Sequence, residues 1–182
     1  ICRYLVPWLQ LDWPIDWHRV FGRDAPLALE AGFGNGGFLV EQATANPDTD
    51  FVGIERSWGA AQRLFKRLHS KGLANVRVLH GDAAFALGHA FAPGSLGQAY
   101  INFSDPWPKE RHHNRRLIQP PFVKLLAERL TPVGAVTIAT DHAEYAEWIS
   151  EVLTSQSLLS SLFPTPSVDA LPGRNPAEGP AP

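Results

Sequence analysis

Short apolar runs alternate with helix-like stretches from about residue 26 to residue 153, and this alternation constrains the fold more than any other feature. It predicts an α/β fold with a mostly parallel sheet and helices on both faces, because each parallel strand needs a crossover connection to the next. The predicted strands cover residues 27–31, 51–55, 76–80, 99–103 and 135–140.

Two of the crossover helices can be placed by their periodicity. Between the second and third predicted strands, apolar residues recur on one helix face and basic residues occupy the other. The apolar positions are Ala61, Leu64, Phe65 and Leu68, and the basic positions are Arg63, Lys66, Arg67 and Lys71. Gly72 is placed to end this helix. A second helix is predicted over 117–130, closed by Thr-Pro-Val-Gly at 131–134 before the fifth strand.

The composition divides the chain into three segments. They are an N-terminal arm (1–25), the α/β domain (26–163) and a proline-rich tail (164–182). The arm carries three tryptophans among prolines and charges, which indicates an irregular segment packed across the domain. The last twenty residues hold six prolines and two glycines, so we expect them to be disordered because they bury too little surface to offset their ordering entropy.

Charge and cysteine content exclude several classes of protein. The 16 basic and 18 acidic residues give a net charge of −2, so a polyanion partner must meet a local basic patch. The lone Cys2 excludes an internal disulfide, and the adjacent His112 and His113 lack further ligands, so we expect no metal site and a reducing cytoplasm. No apolar run reaches the ~20 residues that span a bilayer, so we expect no membrane partner. Methionine is absent even at position 1, so we expect a longer translation product.

A glycine loop follows the first predicted strand. Residues 30–37 read Glu-Ala-Gly-Phe-Gly-Asn-Gly-Gly and run directly into a helical pattern. Closely spaced glycines let the backbone turn tightly and approach a ligand at the helix N-terminus. Gly32, Gly34 and Gly37 also have the spacing of a Rossmann dinucleotide site, so this loop alone leaves an NAD(P)-dependent oxidoreductase open beside an S-adenosylmethionine enzyme.

Three acidic residues stand at successive strand ends. Glu30 precedes the loop and suits a cationic amino group better than a pyrophosphate, Glu55 suits a ribose diol, and Asp82 suits an adenine edge. Each has a structural alternative: an ion pair for Glu30, a solvated strand end for Glu55 and a helix cap for Asp82. Together they point to the crevice at the carboxyl ends of the strands.

A basic loop follows the fourth predicted strand. Residues 104–116 read Ser-Asp-Pro-Trp-Pro-Lys-Glu-Arg-His-His-Asn-Arg-Arg. The cations of this loop are Lys109, Arg111, Arg115 and Arg116, which against Glu110 give a local charge of +3. Such a patch suits phosphate contacts. Trp107 is equally consistent with a stacking face for a base and with a core tryptophan.

These motifs together resemble the bacterial tRNA (guanine-N(7)-)-methyltransferase family. The resemblance extends over about 16–153 and rests on the glycine loop, Gly53-Ile54-Glu55, Asp82-Ala83, the Asp-Pro-Trp and arginine segment 105–116, Gln-Pro-Pro-Phe at 119–122 and Ala-Thr-Asp at 139–141. It implies a Rossmann-like class I methyltransferase fold that forms 7-methylguanosine in tRNA from S-adenosylmethionine. The sequence leaves the oligomeric state open, a monomer included.

The resemblance also implies roles for individual residues. S-adenosylmethionine would be contacted by Glu30, Glu55, Asp82, Asp105 and the loop glycines Gly32, Gly34 and Gly36. Asp105 would be the catalytic residue. The substrate would be contacted by Lys109 and Asp141, and the tRNA by the segment 111–116 with Arg111, Arg115 and Arg116.

Three departures from the family pattern stand out. Gly37 replaces a common glutamate, and Asn114 replaces a common basic residue. The family's C-terminal Thr-x-Phe/Tyr-Glu segment, which belongs to the end of its sheet, has no match in this chain. We therefore expect the last strands to be missing, and an RNA-binding protein with a degenerate methyltransferase fold stays open as an alternative.

Overall fold

The computed structural model describes residues 3–162, and a five-stranded parallel β-sheet lies at its centre in the order β3-β2-β1-β4-β5. The strands are β1 (Leu27–Ala31), β2 (Asp50–Glu55), β3 (Val76–His80), β4 (Leu96–Asn102) and β5 (Leu130–Ala139). The helices are α1 (Trp17–Phe21), α2 (Gly37–Ala45), α3 (Trp58–Ser70), α4 (Ala83–Ala90), α5 (Pro120–Arg129) and α6 (Ala143–Thr154). Two short 3-10 helices cover Trp8–Gln10 and Glu110–Arg115. The predicted α/β fold is therefore confirmed.

Both faces of the sheet are buried, which explains the continuous apolar runs of its central strands. Every residue of β1 is buried. On one face, Leu29 and Ile54 pack with apolar side chains of α4, α5 and α6, while on the other face Ala28 and Phe51 pack with side chains of α2 and α3. The sheet thus separates two hydrophobic cores, one on each face.

The strand order reverses beside β1. The chain runs outward from β1 to β2 and β3, then crosses to β4 on the other side of β1. Loops that follow β1 and β4 therefore leave in opposite directions and open a crevice between them, which is where open α/β sheets bind ligands. The glycine loop and the basic loop are the two segments at this crevice.

The arm before β1 contributes to the core. Tyr4, Val6, Trp8 and Trp17 are all buried, and Leu5 forms a parallel bridge with Val78 of β3. The arm contains a 3-10 helix and α1 as well as irregular segments. The division at residue 25, drawn from composition, stays a prediction.

The structure differs from the sequence prediction at the start of β5. The segment 131–134, predicted as a turn, belongs to the strand, and α5 begins at Pro120 rather than at 117. Pro132 is tolerated because β5 lies at the edge of the sheet and needs no donor on its outer side. A Cβ on Gly134 would lie 2.7 Å from the Leu96 carbonyl oxygen, so the strands pair closely there through a register shift.

The predicted disordered tail, 164–182, lies outside the described residues. Within the described part of the chain, every helix is too short or too polar to cross a membrane.

Candidate functional site

The glycine loop turns through three left-handed residues. Gly32, Gly34 and Gly36 have φ values of 77°, 53° and 72°, which side chains other than glycine adopt only with strain. The Gly32 N–H donates to the Ile54 carbonyl at 2.8 Å, which fixes the loop against the end of β2. A Cβ on Gly36 would lie 2.7 Å from Leu64 Cδ1, so any side chain at this position would force the buried Leu64 of α3 to shift. The loop backbone is therefore pre-shaped for close approach of a ligand.

Glu55 ties the loop to the start of α3. One carboxylate oxygen accepts from the Gly34 N–H at 3.0 Å, and the other accepts from the Ser57 N–H at 2.8 Å. The alternative of a purely solvated strand end is therefore wrong for Glu55. Its carboxylate lies at the glycine loop, where a ligand in the crevice would meet it.

Glu30 is a buried carboxyl group with an unused oxygen. It is 2% exposed, Oε1 accepts from the Asn102 amide at 3.2 Å, and Oε2 has no hydrogen-bond partner within residues 3–162. Burial, assisted by the nearby Glu55 carboxylate, raises the pKa of Glu30 to about 7. No basic side chain of the described region forms an ion pair with it, so the structural alternative of an arginine partner is wrong. An orphaned buried oxygen of this kind suits a cationic ligand group.

Asp82 caps the N-terminus of α4, so the helix cap, which is the structural alternative to a ligand contact, is confirmed. Its carboxylate accepts from the Phe85 N–H at 3.0 Å. Trp8 of the arm lies beside this turn, since its indole N–H donates to the His80 carbonyl at 3.2 Å and a Cβ on Gly81 would lie 3.0 Å from its ring. A contact between Asp82 and a cofactor therefore stays a proposal.

Asp105 lies in a constrained turn at the end of β4. Phe103 and Trp107, two residues on either side of it, have φ values of 53° and 44°, which is uncommon for bulky side chains. The Phe103 N–H donates to the Ala139 carbonyl at 2.8 Å, which anchors the turn to β5. Asp105 itself is exposed and has no hydrogen bond or ion pair within residues 3–162. Strained backbone of this type is concentrated at functional sites.

The position of Arg116 contradicts a prediction made from the sequence. The residue was assigned to tRNA contact, but it is 2% exposed and holds the basic loop onto α6. Its guanidinium donates to both Glu144 carboxylate oxygens, to the Pro106 carbonyl at 2.8 Å, and lies over the Tyr145 ring at 5.0 Å. Such a buried, fully engaged guanidinium has no face left for a phosphate.

The remaining predicted contact residues are exposed at the same edge of the sheet. Lys109, Arg111 and Arg115 lie on the basic loop, and Asp141 follows β5. The Arg115 guanidinium lies over the Trp107 ring at 5.1 Å, so the half-buried indole is neither a core residue nor an empty stacking face. Within residues 3–162, no three His, Cys, Asp or Glu side chains group as metal ligands.

Sequence reasoning missed three residues that shape this site. Asn102 supplies the amide that holds Glu30, while Glu144 and Tyr145 of α6 hold the basic loop. Asn102 had one available signal, since it ends the strand next to the one that carries Glu30. The two α6 residues had none, because their partners lie about 30 or 40 positions earlier in the chain.

Comparison with known sequences places this chain among methyltransferases. The profile of a protein family described as "Putative methyltransferase" matches residues 24–172. A tRNA (guanine-N(7)-)-methyltransferase of Alkalilimnicola ehrlichii is 46% identical over 143 residues, covering 79% of this chain and 60% of the relative. One from Nitrosococcus oceani is 46% identical over 149 residues, covering 82% and 63%. The chain thus spans about three-fifths of the length of these curated relatives.

Comparison with solved structures concerns the fold alone. Precorrin 8w decarboxylase from Methanobacterium thermoautotrophicum superposes with a TM-score of 0.55 at 21% identity, over 72% of this chain and 62% of the other. The likeness shows the Rossmann-like arrangement of sheet and helices.

Proposed function

The chain belongs to the methyltransferase family whose profile it matches, and we propose that it transfers a methyl group from S-adenosylmethionine to N7 of a guanosine in tRNA. The observation that carries the proposal is the buried Glu30 carboxyl group at the end of β1, whose Oε2 is unpartnered within residues 3–162 and whose Oε1 is held by Asn102, three residues before the exposed Asp105. The relatives' names supply the substrate class. We also propose a cytoplasmic site of action, since the lone Cys2 fits a reducing compartment.

The residues present fit S-adenosylmethionine. Glu30 would accept from its cationic amino group, which gives the buried oxygen the partner that the described residues do not provide. The backbone of Gly32 and Gly34 would pass close to the ligand, and Glu55 would face a ribose diol. Asp82, at the turn after β3, would lie toward the adenine.

The main contribution of the protein to this reaction would be to position the methyl donor and the guanine. When bound, S-adenosylmethionine would supply the methyl group of its sulfonium: the lone pair of guanine N7 would form the new N–C bond while the electron pair of the broken C–S bond stays on sulfur. Because N7 carries no proton, no side chain has to act as a strong base. Asp105 would orient the guanine through its N–H edge and stabilise the positive charge that develops on the base.

Asp105 and the basic loop would act together on the RNA. Lys109 and Asp141 would hold the substrate guanosine, which has to leave its stacked setting to enter the crevice. Arg111 and Arg115 would contact phosphates beside it. Arg116 would act as a positioning residue, since it fixes the loop that carries Asp105.

Incubation of the 182-residue chain with labelled S-adenosylmethionine and unmodified tRNA, followed by digestion to nucleosides, tests the proposal. Label in 7-methylguanosine is expected, and label in another nucleoside would contradict the assignment. Binding of tRNA without methyl transfer would favour the alternative of an RNA-binding protein with a degenerate fold. Calorimetric binding of NAD(P) in place of S-adenosylmethionine would favour an oxidoreductase, which the family match already makes the weaker reading.

A further inference from the structure

The helix α3 and its flanks form an acid-free basic surface. Between positions 56 and 71 there is no aspartate or glutamate, in a chain whose net charge is −2. The cations of this segment, which we call the α3 basic face, are Arg56, Arg63, Lys66, Arg67 and Lys71. They are five of the 16 basic residues of the chain, so the positive charge is strongly concentrated here.

All five cations of the α3 basic face are exposed and unpaired. None has an ion pair or a side-chain hydrogen bond with any residue from 3 to 162. Two arginines elsewhere are held by acidic partners, since Arg23 pairs with Asp50 and Arg116 pairs with Glu144. A solvated helix face usually mixes both signs along its length, whereas this face offers only donors.

The α3 basic face adjoins the candidate site. The helix starts three residues after Glu55, whose carboxylate holds the glycine loop. The Arg67 guanidinium lies 3.6 Å from the position that a Cβ on Gly37 would take, at the first turn of α2. The cations from Arg63 to Lys71 span about 12 Å along the helix, with Arg67 at the middle.

The crevice therefore has positive charge on both sides. The basic loop follows β4, on one side of β1, while α3 lies between β2 and β3, on the other side. Resting on the proposed function, we propose that the α3 basic face is a second RNA-binding surface, which contacts backbone phosphates of the same tRNA whose guanosine enters the crevice. A polyanion that spans the crevice would neutralise both surfaces at once.

The apolar side of α3 argues against a membrane surface. Ala61, Leu64 and Leu68 are fully buried in the core beneath the helix. An interfacial membrane helix needs its apolar face free to enter the lipid. The cations of α3 are thus presented on a rigid support, as phosphate contacts require.

The test compares two double variants of the full chain that lose the same charge. Arg63→Gln/Lys66→Gln removes two cations from the middle of α3, and Arg19→Gln/Lys124→Gln removes one arginine and one lysine from exposed positions of α1 and α5. The Kd for unmodified tRNA is measured against salt concentration, with kcat and KM for methyl transfer. The α3 variant should bind roughly tenfold more weakly at 0.1 M salt, with a salt slope smaller by about 2.

The expected kinetic result is a raised KM with kcat unchanged, because these side chains are away from the reacting atoms. Equal thermal melting of both variants shows that folding is intact. The inference would be overturned if the α3 variant bound tRNA with wild-type affinity, or if the control variant lost as much affinity. The proposed function would still stand in that case, provided that the chain forms 7-methylguanosine. Loss of binding to phosphatidylserine vesicles with unchanged tRNA binding would also overturn the inference. A wild-type chain that binds no tRNA would overturn both.

Discussion

The Arg116 guanidinium and the Glu144 carboxylate form a two-pronged ion pair that joins the basic loop to α6, with N–O distances of 3.0 and 2.5 Å. The arginine side chain is fully buried, while that of Glu144 is half exposed. Hydrogen bonding from Arg116 lowers the pKa of Glu144 below its ordinary value. The pair therefore persists as the pH falls into the range where free glutamates protonate.

Glu144→Gln should lower kcat with little change in the Kd for S-adenosylmethionine. The substitution removes the charge that holds Arg116, so the loop carrying Asp105 loses its fixed position. Melting temperature should also fall, because a buried guanidinium is left without its counter-charge. Glu147→Gln on the same helix is the control, since Glu147 is exposed and has no side-chain hydrogen bond or ion pair with any residue from 3 to 162. Equal kinetics in both variants would contradict the positioning role.

The adjacent arginines 115 and 116 should respond differently to substitution. Arg111→Ala/Arg115→Ala removes two exposed cations, so tRNA affinity should fall and the salt slope should decrease by about 2, with melting unchanged. Arg116→Ala should lower melting temperature and kcat instead. Filter binding at several salt concentrations, beside thermal denaturation, separates the two outcomes. If Arg116→Ala altered only the salt slope, its assignment as a loop anchor would fail.

Asp105→Asn should reduce kcat by roughly 10²–10³ while tRNA affinity stays within about twofold, as expected for a group that stabilises developing charge. Single-turnover transfer of labelled methyl measures the first quantity, and filter binding measures the second. Asp48→Asn is the control, since this exposed carboxylate lies in the turn before β2, at the opposite edge of the sheet. Near-normal turnover of Asp105→Asn would remove the residue from the mechanism.

The free energy of unfolding should depend on pH because of Glu30. Its pKa is raised from 4.5 to about 7 in the folded chain, so the folded state favours the neutral acid. Its contribution to stability is complete below pH 4.5 and is lost as the pH rises through 7, a change on the order of 3 kcal/mol. Urea titrations of wild type and Glu30→Gln should diverge over this range, with Glu41→Gln, an exposed position, parallel to wild type. A pH-independent difference would show that Glu30 is not desolvated.

Two left-handed glycines offer a matched pair for stability. Gly36→Ala and Gly72→Ala both place a side chain at positive φ, which costs about 1–2 kcal/mol. Only Gly36 faces a neighbour, Leu64, which is fully buried, whereas a Cβ on Gly72 meets nothing within 4 Å. Denaturant unfolding should therefore show the larger loss for Gly36→Ala, together with weakened S-adenosylmethionine binding. Equal losses would mean that Leu64 moves aside without cost.

Much of the fold could be predicted because its signals are local. β1 and β3 begin and end where the apolar runs predict, since strands buried on both faces need continuous apolar sequence. Gly32, Gly34 and Gly36 mark the loop because positive φ nearly requires glycine. The start of β5 was missed, since Pro132 and Gly134 suggest a turn until an edge position makes them acceptable.

The sequence by itself determined the alternation of strands and helices, the glycine loop, and which segments carry acid or basic charge, because these depend on residues that are neighbours along the chain. The tertiary structure alone decided which charges are free. Arg115 and Arg116 are adjacent and chemically identical, yet one is exposed and the other is buried against α6. Glu30 has its amide partner 72 residues away. Burial and partners arise from groups distant in sequence, and these set the pKa and the availability of each side chain.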